Sequence, residues 1–118
     1  MMPSHWAMYQ AELRGTKMLE WEFGFVLYDI LPNLVLHVED VFVVPSERNK
    51  GRLHAMWDAV VLAGRKSECT VMMTNVDLVA KTAAASLALQ LHMGLIPFKA
   101  ESNRIWLKRS IAPEESHG

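Results

Sequence analysis

The residues best placed to do chemistry form a short basic loop between an apolar segment and an amphipathic one. The loop follows an apolar run that ends at Pro45, and it reads Arg48-Asn49-Lys50-Gly51-Arg52-Leu53. A loop that opens a helix directs free backbone N–H groups and the positive end of the helix dipole at one point in space. Gly51 allows the backbone to approach a ligand closely, and the cationic side chains raise the local potential. The pattern favours a phosphate-type anion, and a solvated basic turn is the alternative.

A second candidate set lies on the apolar run itself. Glu39 and Asp40 interrupt a β-branched segment, and strand alternation predicts that they face opposite sides of a sheet. A carboxylate in a half-buried cleft can have a raised pKa and accept a proton. His37 is expected on the Glu39 face, as an assisting base or as a structural histidine. Pairing of one carboxylate with an arginine or lysine is the alternative to catalysis.

A layered α/β fold must position these residues. The patterning predicts helices over 4–14, 51–64 and 78–93, the last capped by Asn75 or Asp77, and strands over 18–30, 34–44, 69–74, 95–100 and 104–108. The first two strands are expected to pair as an antiparallel hairpin, whereas a strand, helix and strand in succession indicate a parallel crossover. The order predicts a single α/β domain with mixed strand directions over residues 1–109 and a frayed tail over 110–118.

Composition restricts the functional classes. The 118 residues carry a formal net charge of −1, whereas a nucleic-acid binder usually has a marked positive excess. The single cysteine, Cys69, rules out an internal disulfide and fits a reducing compartment. No apolar run reaches the ~18 residues of a membrane span and no signal peptide is evident, so the expected location is cytoplasmic. No histidine, cysteine or carboxylate spacing is typical of a metal site, so no metal is expected.

Four segments, in this order and spacing, resemble the GNAT superfamily of acetyl-CoA-dependent N-acyltransferases. They are Gly24–Leu27, Glu39–Pro45, Arg48–Leu53 and Leu89–Leu95, and the resemblance covers residues 20–108. It implies a mixed sheet with helices on both faces, acetyl-CoA as cofactor and transfer of an acetyl group to an amine. It also implies that residues 48–53 hold the pyrophosphate, that Val43 and Val44 meet the pantetheine arm like an added strand, that the Val43 N–H polarises the carbonyl and that Glu39 is the base.

The sequence also departs from the family pattern. Leu53 stands where a second small residue is usual, and Gln90 where many members have a tyrosine that protonates the departing thiolate. Only one short helix fits before residue 18, so the wall of the acceptor pocket is absent or comes from a partner chain. These departures favour an alternative, a non-catalytic GNAT-fold structural or interaction protein such as a phage virion component. A homo-oligomer or larger assembly is expected, and neither nucleic acid nor membrane is an expected partner.

Overall fold

A computed structural model describes residues 5–113 and shows a mixed six-stranded sheet flanked by helices. The elements, in chain order, are α1 (His5–Arg14), β1 (Lys17–Trp21), β2 (Gly24–Ile30), β3 (Val35–Val43), α2 (Arg52–Lys66), β4 (Val71–Asp77), α3 (Ala83–His92), β5 (Ile96–Glu101) and β6 (Arg104–Ser110). The strand order is β1-β2-β3-β4-β6-β5. In the described sheet the β3–β4 pair is parallel and the other pairs are antiparallel. The predicted mixed α/β sheet, with its first antiparallel hairpin and its parallel crossover, is confirmed.

The segment predicted as one strand over 18–30 is two strands. Glu22 and Phe23 form the turn that joins β1 to β2, and Gly24 begins β2 opposite Val43. A Cβ atom on Gly24 would lie 1.9 Å from the Phe42 carbonyl oxygen, so the close approach of β2 and β3 requires glycine. The prediction was wrong because β2 is buried along most of its length, and its apolar run therefore shows no break at the turn.

Other boundaries also differ from the prediction, most of all at the end of β4, which was expected over 69–74 and is Val71–Asp77, and at the C-terminal tail. Asp77 does not cap a helix, because it ends β4 and its Oδ1 accepts the Val79 N–H at 3.1 Å in the following turn. The third helix consequently begins at Ala83. The tail predicted to fray from residue 110 stays attached through Ile111, which is buried and whose N–H donates to the Thr70 carbonyl at 2.9 Å. Residues 114–118 lie outside the described part of the chain.

α2 and α3 pack on the same face of the sheet, because both contribute to one hydrophobic core. α2 presents an apolar stripe at helical spacing, and Leu87 of α3 packs against the same cluster. The buried members of the cluster from α2 and β4 are Met56, Trp57, Val60, Met72 and Val76. Each such side chain contributes about 1.5–3 kcal/mol when it is fully buried, so this core fixes both helices against the central strands.

A smaller cluster lies on the other face of the sheet. Phe25 and Leu27 are buried there with Met18 of β1 against them, since strand alternation turns them away from the main core. α1 contacts β1, but its Tyr9 and Leu13 side chains are 58% and 65% exposed. An apolar part of α1 thus faces solvent, and the expected self-association stays a prediction. Among residues 5–113, none of the helices combines the length and hydropathy that a bilayer-spanning segment requires.

β3 carries one residue more than β2 in the paired region. Leu27 pairs with Asp40, but the next residue, Tyr28, pairs with Val38. Glu39 is therefore the extra residue of a β-bulge, which bends a strand and redirects its side chains. Bulges are frequent beside active sites, so the position of this one marks a region of functional interest.

Candidate functional site

The central strands β3 and β4 separate after a short paired region. The parallel pairs are Val35 with Val71, Leu36 with Met72 and His37 with Met73. No further pair forms within the described strands, although β3 continues to Val43 and β4 to Asp77. A cleft of about 930 Å³ opens beyond this point. Its walls are the end of β3, the basic loop with the start of α2, the end of β4 and one side of α3.

The basic loop bends at the cleft through two residues in the left-handed region. Asn49 has φ 63° and Gly51 has φ 75°. α2 begins directly afterwards at Arg52, and no side chain caps it. The first-turn N–H groups have no partner within the helix, and Gly51, Arg52, Leu53 and His54 all line the cleft. The structure therefore has the backbone arrangement that an anion-binding helix terminus requires.

An internal carboxylate offsets part of the positive charge of this loop. Glu47 accepts hydrogen bonds from Lys50 Nζ at 3.0 Å and from Arg52 Nη2 at 3.1 Å. Both bonds lower the pKa of Glu47, and the bond from Lys50 has the larger effect. Arg48 does not bond to Glu47 in this way, since its Nε donates to the Val43 carbonyl at 2.9 Å. With three cations and one carboxylate, the loop retains two net positive charges, fewer than the basic residues alone suggest.

The predicted ligand-binding residues do not all reach the cleft. Val43, Arg48, Asn49, Gly51, Arg52 and Leu53 line it. Val44 lines a smaller neighbouring pocket instead, and its N–H donates to the Phe23 carbonyl at 2.8 Å. Lys50 is not among the lining residues, although its Nζ donates to Glu47, which does line the cleft. Leu53 packs against the main core while it lines the cleft, so this bulky side chain leaves the cleft open.

The bulge places both candidate carboxylates at the cleft. Asp40 pairs with Leu27 and so shares the face that His37 occupies, and both Glu39 and Asp40 line the cleft. The prediction that the two carboxylates face opposite sides is wrong, because simple alternation does not hold across a bulge. Glu39 Oε1 lies 3.8 Å from His37 Nδ1, and the two side chains are 27% and 13% exposed respectively.

The environment of His37 favours its neutral form. Burial lowers the pKa of His37, and the nearby carboxylates of Glu39 and Asp29 oppose that shift only in part. His37 is consequently uncharged near pH 7. Glu39 thus lies beside a neutral imidazole in a half-buried position, where a carboxylate can exchange a proton with a bound group.

Two polar residues beside His37 were missed by sequence reasoning. Arg104 Nη1 donates to Asn75 Oδ1 at 2.5 Å, and Asn75 Nδ2 lies 3.4 Å from His37 Nε2. The Trp106 ring packs against the His37 ring with centroids 5.8 Å apart. Sequence patterning indicated a helix cap at Asn75, and no local signal could place it between β3 and β6. The strand register alone brings these residues together.

Gln90, at the position of the usual tyrosine, has a structural role. The Thr74 hydroxyl donates to Gln90 Oε1, and Gln90 Nε2 donates to Ser86 Oγ at 3.2 Å. The side chain is buried, and both ends of its amide are engaged. An amide has no proton to give at neutral pH. Gln90 therefore holds α3 against β4 and is not a general acid.

Comparison with solved structures assigns the fold. No family model matches the chain, and no curated protein matches it by sequence. A Desulfovibrio desulfuricans protein described as a GNAT-family acetyltransferase superposes with TM-score 0.74 at 13% identity, over 89% of this chain and 75% of its own. The PaiA N-acetyltransferase of Thermoplasma acidophilum, in complex with coenzyme A, superposes with TM-score 0.69 at 8% identity, over 86% and 65%. A GNAT-family acetyltransferase of Staphylococcus aureus gives 0.64 at 12%, over 75% and 60%.

These similarities show the GNAT fold, as the sequence predicted. The chain spans 75%, 65% and 60% of the lengths of these three structures, so part of each has no counterpart in it. At such identities the shared property is the fold, and the role of each residue must be argued from its own surroundings.

Proposed function

We propose that this chain, which has the fold of the GNAT acetyltransferases, binds acetyl-CoA and transfers its acetyl group to an amine. The observation that carries the proposal is the separation of β3 from β4 beside an uncapped helix start. Solved neighbours with bound coenzyme A support a site for an acyl-CoA in this fold. No comparison supports a phage virion component.

The loop would hold the diphosphate through backbone groups more than through side chains. The amides that open α2, at Arg52, Leu53 and His54, have no intrahelical partner, and the helix dipole favours negative charge beside them. Gly51 provides the left-handed turn that exposes them, and a Cβ atom there would meet nothing within 4 Å. Glu47 is a competing anion within the loop, so we expect moderate affinity for the diphosphate.

A buried donor in the cleft also fits an acyl-CoA. Within residues 5–113, Trp57 Nε1 is buried without a hydrogen-bond acceptor, and Trp57 is one of the residues that line the cleft. A buried unpaired N–H costs about 1–3 kcal/mol. The pantetheine arm carries amide carbonyls, and one of them would satisfy this donor once ligand binding displaces the side chains that cover Nε1. The strand backbone of β3 beyond His37 has no β4 partner and would offer further hydrogen-bonding groups to the same arm, the Val43 N–H among them.

Glu39 is the proposed proton acceptor. Acetyl-CoA supplies a thioester whose carbonyl carbon is attacked by an amine nitrogen, with a C–N bond formed and the C–S bond broken. The amine must lose a proton, and Glu39 is a cleft carboxylate next to a neutral His37. Gln90 supplies no proton to the departing thiolate, so that proton comes from solvent.

One observation favours a second candidate, a GNAT-fold protein that binds an acyl-CoA without catalysis. The amide of Gln90 is bonded to Thr74 and Ser86, so the position that supplies an acid in many family members is closed to that role. This candidate predicts ligand binding without turnover. The two candidates therefore differ in whether acetyl transfer to an amine is observed.

Thermal denaturation and a turnover assay separate these possibilities. We expect acetyl-CoA at about 100 times its Kd to stabilise the protein by about 2.7 kcal/mol, and free thiol to appear when a panel of amines is added. Glu39→Gln should keep the stabilisation and lose turnover, while Glu12→Gln on the exposed side of α1 should change neither. Stabilisation without turnover in the wild type favours the second candidate. No stabilisation by acetyl-CoA or coenzyme A rejects both.

A further inference from the structure

We infer that Arg104 and Asn75 are positioning residues that fix the tautomer of His37 and thereby direct its ring N–H at Glu39. The four side chains form a continuous series across three strands. Arg104 Nη1 lies 2.5 Å from Asn75 Oδ1, Asn75 Nδ2 lies 3.4 Å from His37 Nε2, and His37 Nδ1 lies 3.8 Å from Glu39 Oε1.

The direction of each hydrogen bond follows from the donor inventory. A guanidinium has only N–H donors, so the Asn75 group that faces Arg104 is its carbonyl oxygen. The Asn75 NH₂ group therefore faces His37, and an amide NH₂ is also only a donor. His37 Nε2 must then accept, which requires the ring proton on Nδ1. That N–H is directed at Glu39, and the distance of 3.8 Å makes the contact electrostatic.

The surroundings of the ring limit the alternatives. His37 is 13% exposed, and the Trp106 ring covers it at 5.8 Å between centroids. Among the described residues, the charged groups on the side of the ring include Glu39 and Asp40 on its own strand, Asp29 across the β2–β3 pair, Arg104 on β6 behind Asn75, and Lys99 on β5, whose Nζ lies 5.8 Å from the Trp106 centroid.

The tautomer determines how His37 affects Glu39. With the proton on Nδ1, the ring directs a donor at the Glu39 carboxylate and cannot take a proton on the side that faces it. With the proton on Nε2, a lone pair would face the carboxylate instead. Under the proposed function, the first arrangement excludes His37 as the proton acceptor and leaves that role to Glu39. This catalytic consequence rests on the proposed function, but the tautomer itself does not.

Nitrogen-15 NMR of the imidazole rings tests the tautomer directly, without any ligand. His37 is assigned by the signals lost in His37→Gln. We expect the wild type at neutral pH to show a protonated Nδ1 and an unprotonated Nε2. Asn75→Asp presents an acceptor to Nε2, so we expect the proton to appear there. Arg104→Gln removes the group that orients Asn75, so we expect a mixture of tautomers.

Lys108→Gln is the matched control, because it removes one positive charge from the same strand and contacts Phe98, not Asn75. It should leave the His37 signals unchanged. A wild-type ring protonated on Nε2 would overturn the inference, and so would an Asn75→Asp ring whose Nε2 stays unprotonated. Unchanged signals in Arg104→Gln would show that Arg104 is not a positioning residue for His37. Arg104 is exposed and Asp is nearly isosteric with Asn, so we expect both variants to fold.

Kinetics provide the second readout. If the wild type transfers acetyl groups, Asn75→Asp should lower kcat by about 10- to 100-fold, with the KM for acetyl-CoA unchanged. That loss is smaller than the roughly 10²- to 10⁴-fold contribution of a proton-transfer group itself, because Asn75 acts only through His37. It should also shift the acidic limb of the pH–rate profile, which loss of packing alone would not move. A wild type without turnover refutes the catalytic proposal, while the NMR result still decides the tautomer.

Discussion

The Thr74 hydroxyl on β4 donates a hydrogen bond to Gln90 Oε1 on α3, and both residues are buried in the wall of the cleft. This bond joins the strand that diverges from β3 to the helix that closes the opposite side. A buried polar pair of this kind costs little when both partners are present and much when one is removed. The pair therefore sets the separation between β4 and α3.

We expect Thr74→Val and Gln90→Leu each to reduce the free energy of unfolding by about 1–3 kcal/mol, because each leaves the other partner buried and unsatisfied. The double variant should lose less than the sum of the two, by about 0.5–3 kcal/mol. Urea denaturation of the four proteins measures this difference. Strict additivity would show that the two side chains do not interact.

Glu47 should weaken the binding of anions to the loop. Its carboxylate engages Lys50 and Arg52, so Glu47→Gln should strengthen ADP and coenzyme A binding several-fold at low salt, with the gain reduced at high salt. Glu68→Gln removes the same charge beyond the far end of α2, about 22 Å away for a helix of 15 residues. It should have little effect, and titration calorimetry compares the two. Equal effects would indicate a net-charge effect only.

The proposed contact between Trp57 and the pantetheine arm of an acyl-CoA leads to a testable prediction. Trp57→Phe removes the buried unpaired N–H and also part of a core ring, so the relief of the unpaired donor should offset the lost packing and the stability of the unliganded protein should change little. Coenzyme A and acetyl-CoA should bind about tenfold more weakly, which corresponds to the loss of about 1.4 kcal/mol, whereas ADP, which lacks the arm, should bind as before. Weakening of all three ligands alike would point to a change in packing.

His37 makes stability depend on pH in a definite direction. Burial lowers its pKa below the ordinary value of 6.5, so the unfolded chain binds a proton that the folded chain does not. Stability is therefore present above the unfolded pKa and falls as pH decreases through the window below it. Urea denaturation between about pH 8 and pH 5 should show this fall. His37→Gln should flatten it and His54→Gln, on the exposed start of α2, should not.

The local sequence pattern was sufficient to predict elements whose buried residues recur at a regular spacing. The stripe of Met56, Trp57 and Val60 has helical spacing, so α2 was predicted nearly to its ends. The loop chemistry at Gly51 was also readable, because a glycine before an apolar stripe marks a helix start. In each case the signal lies within a few residues of the feature.

Contacts between distant segments were not readable from one sequence. Asn75 meets His37 and Arg104 only because β4 lies between β3 and β6, and no local pattern contains that order. The bond between Glu47 and Lys50 was missed for a different reason. It depends on the left-handed backbone at Asn49, which turns the loop back on itself.

The bulge at Glu39 adds one residue to β3 without changing the β2 partners of the residues that follow it. Substituting Glu39 changes one side chain. Deleting it would leave the β2 partners of all later residues unchanged, so Val41 and Val43 would stay in the helix-covered core. The deletion would instead remove the bend that brings Glu39 and Asp40 to one face, so the extra residue of this strand is part of what shapes the cleft.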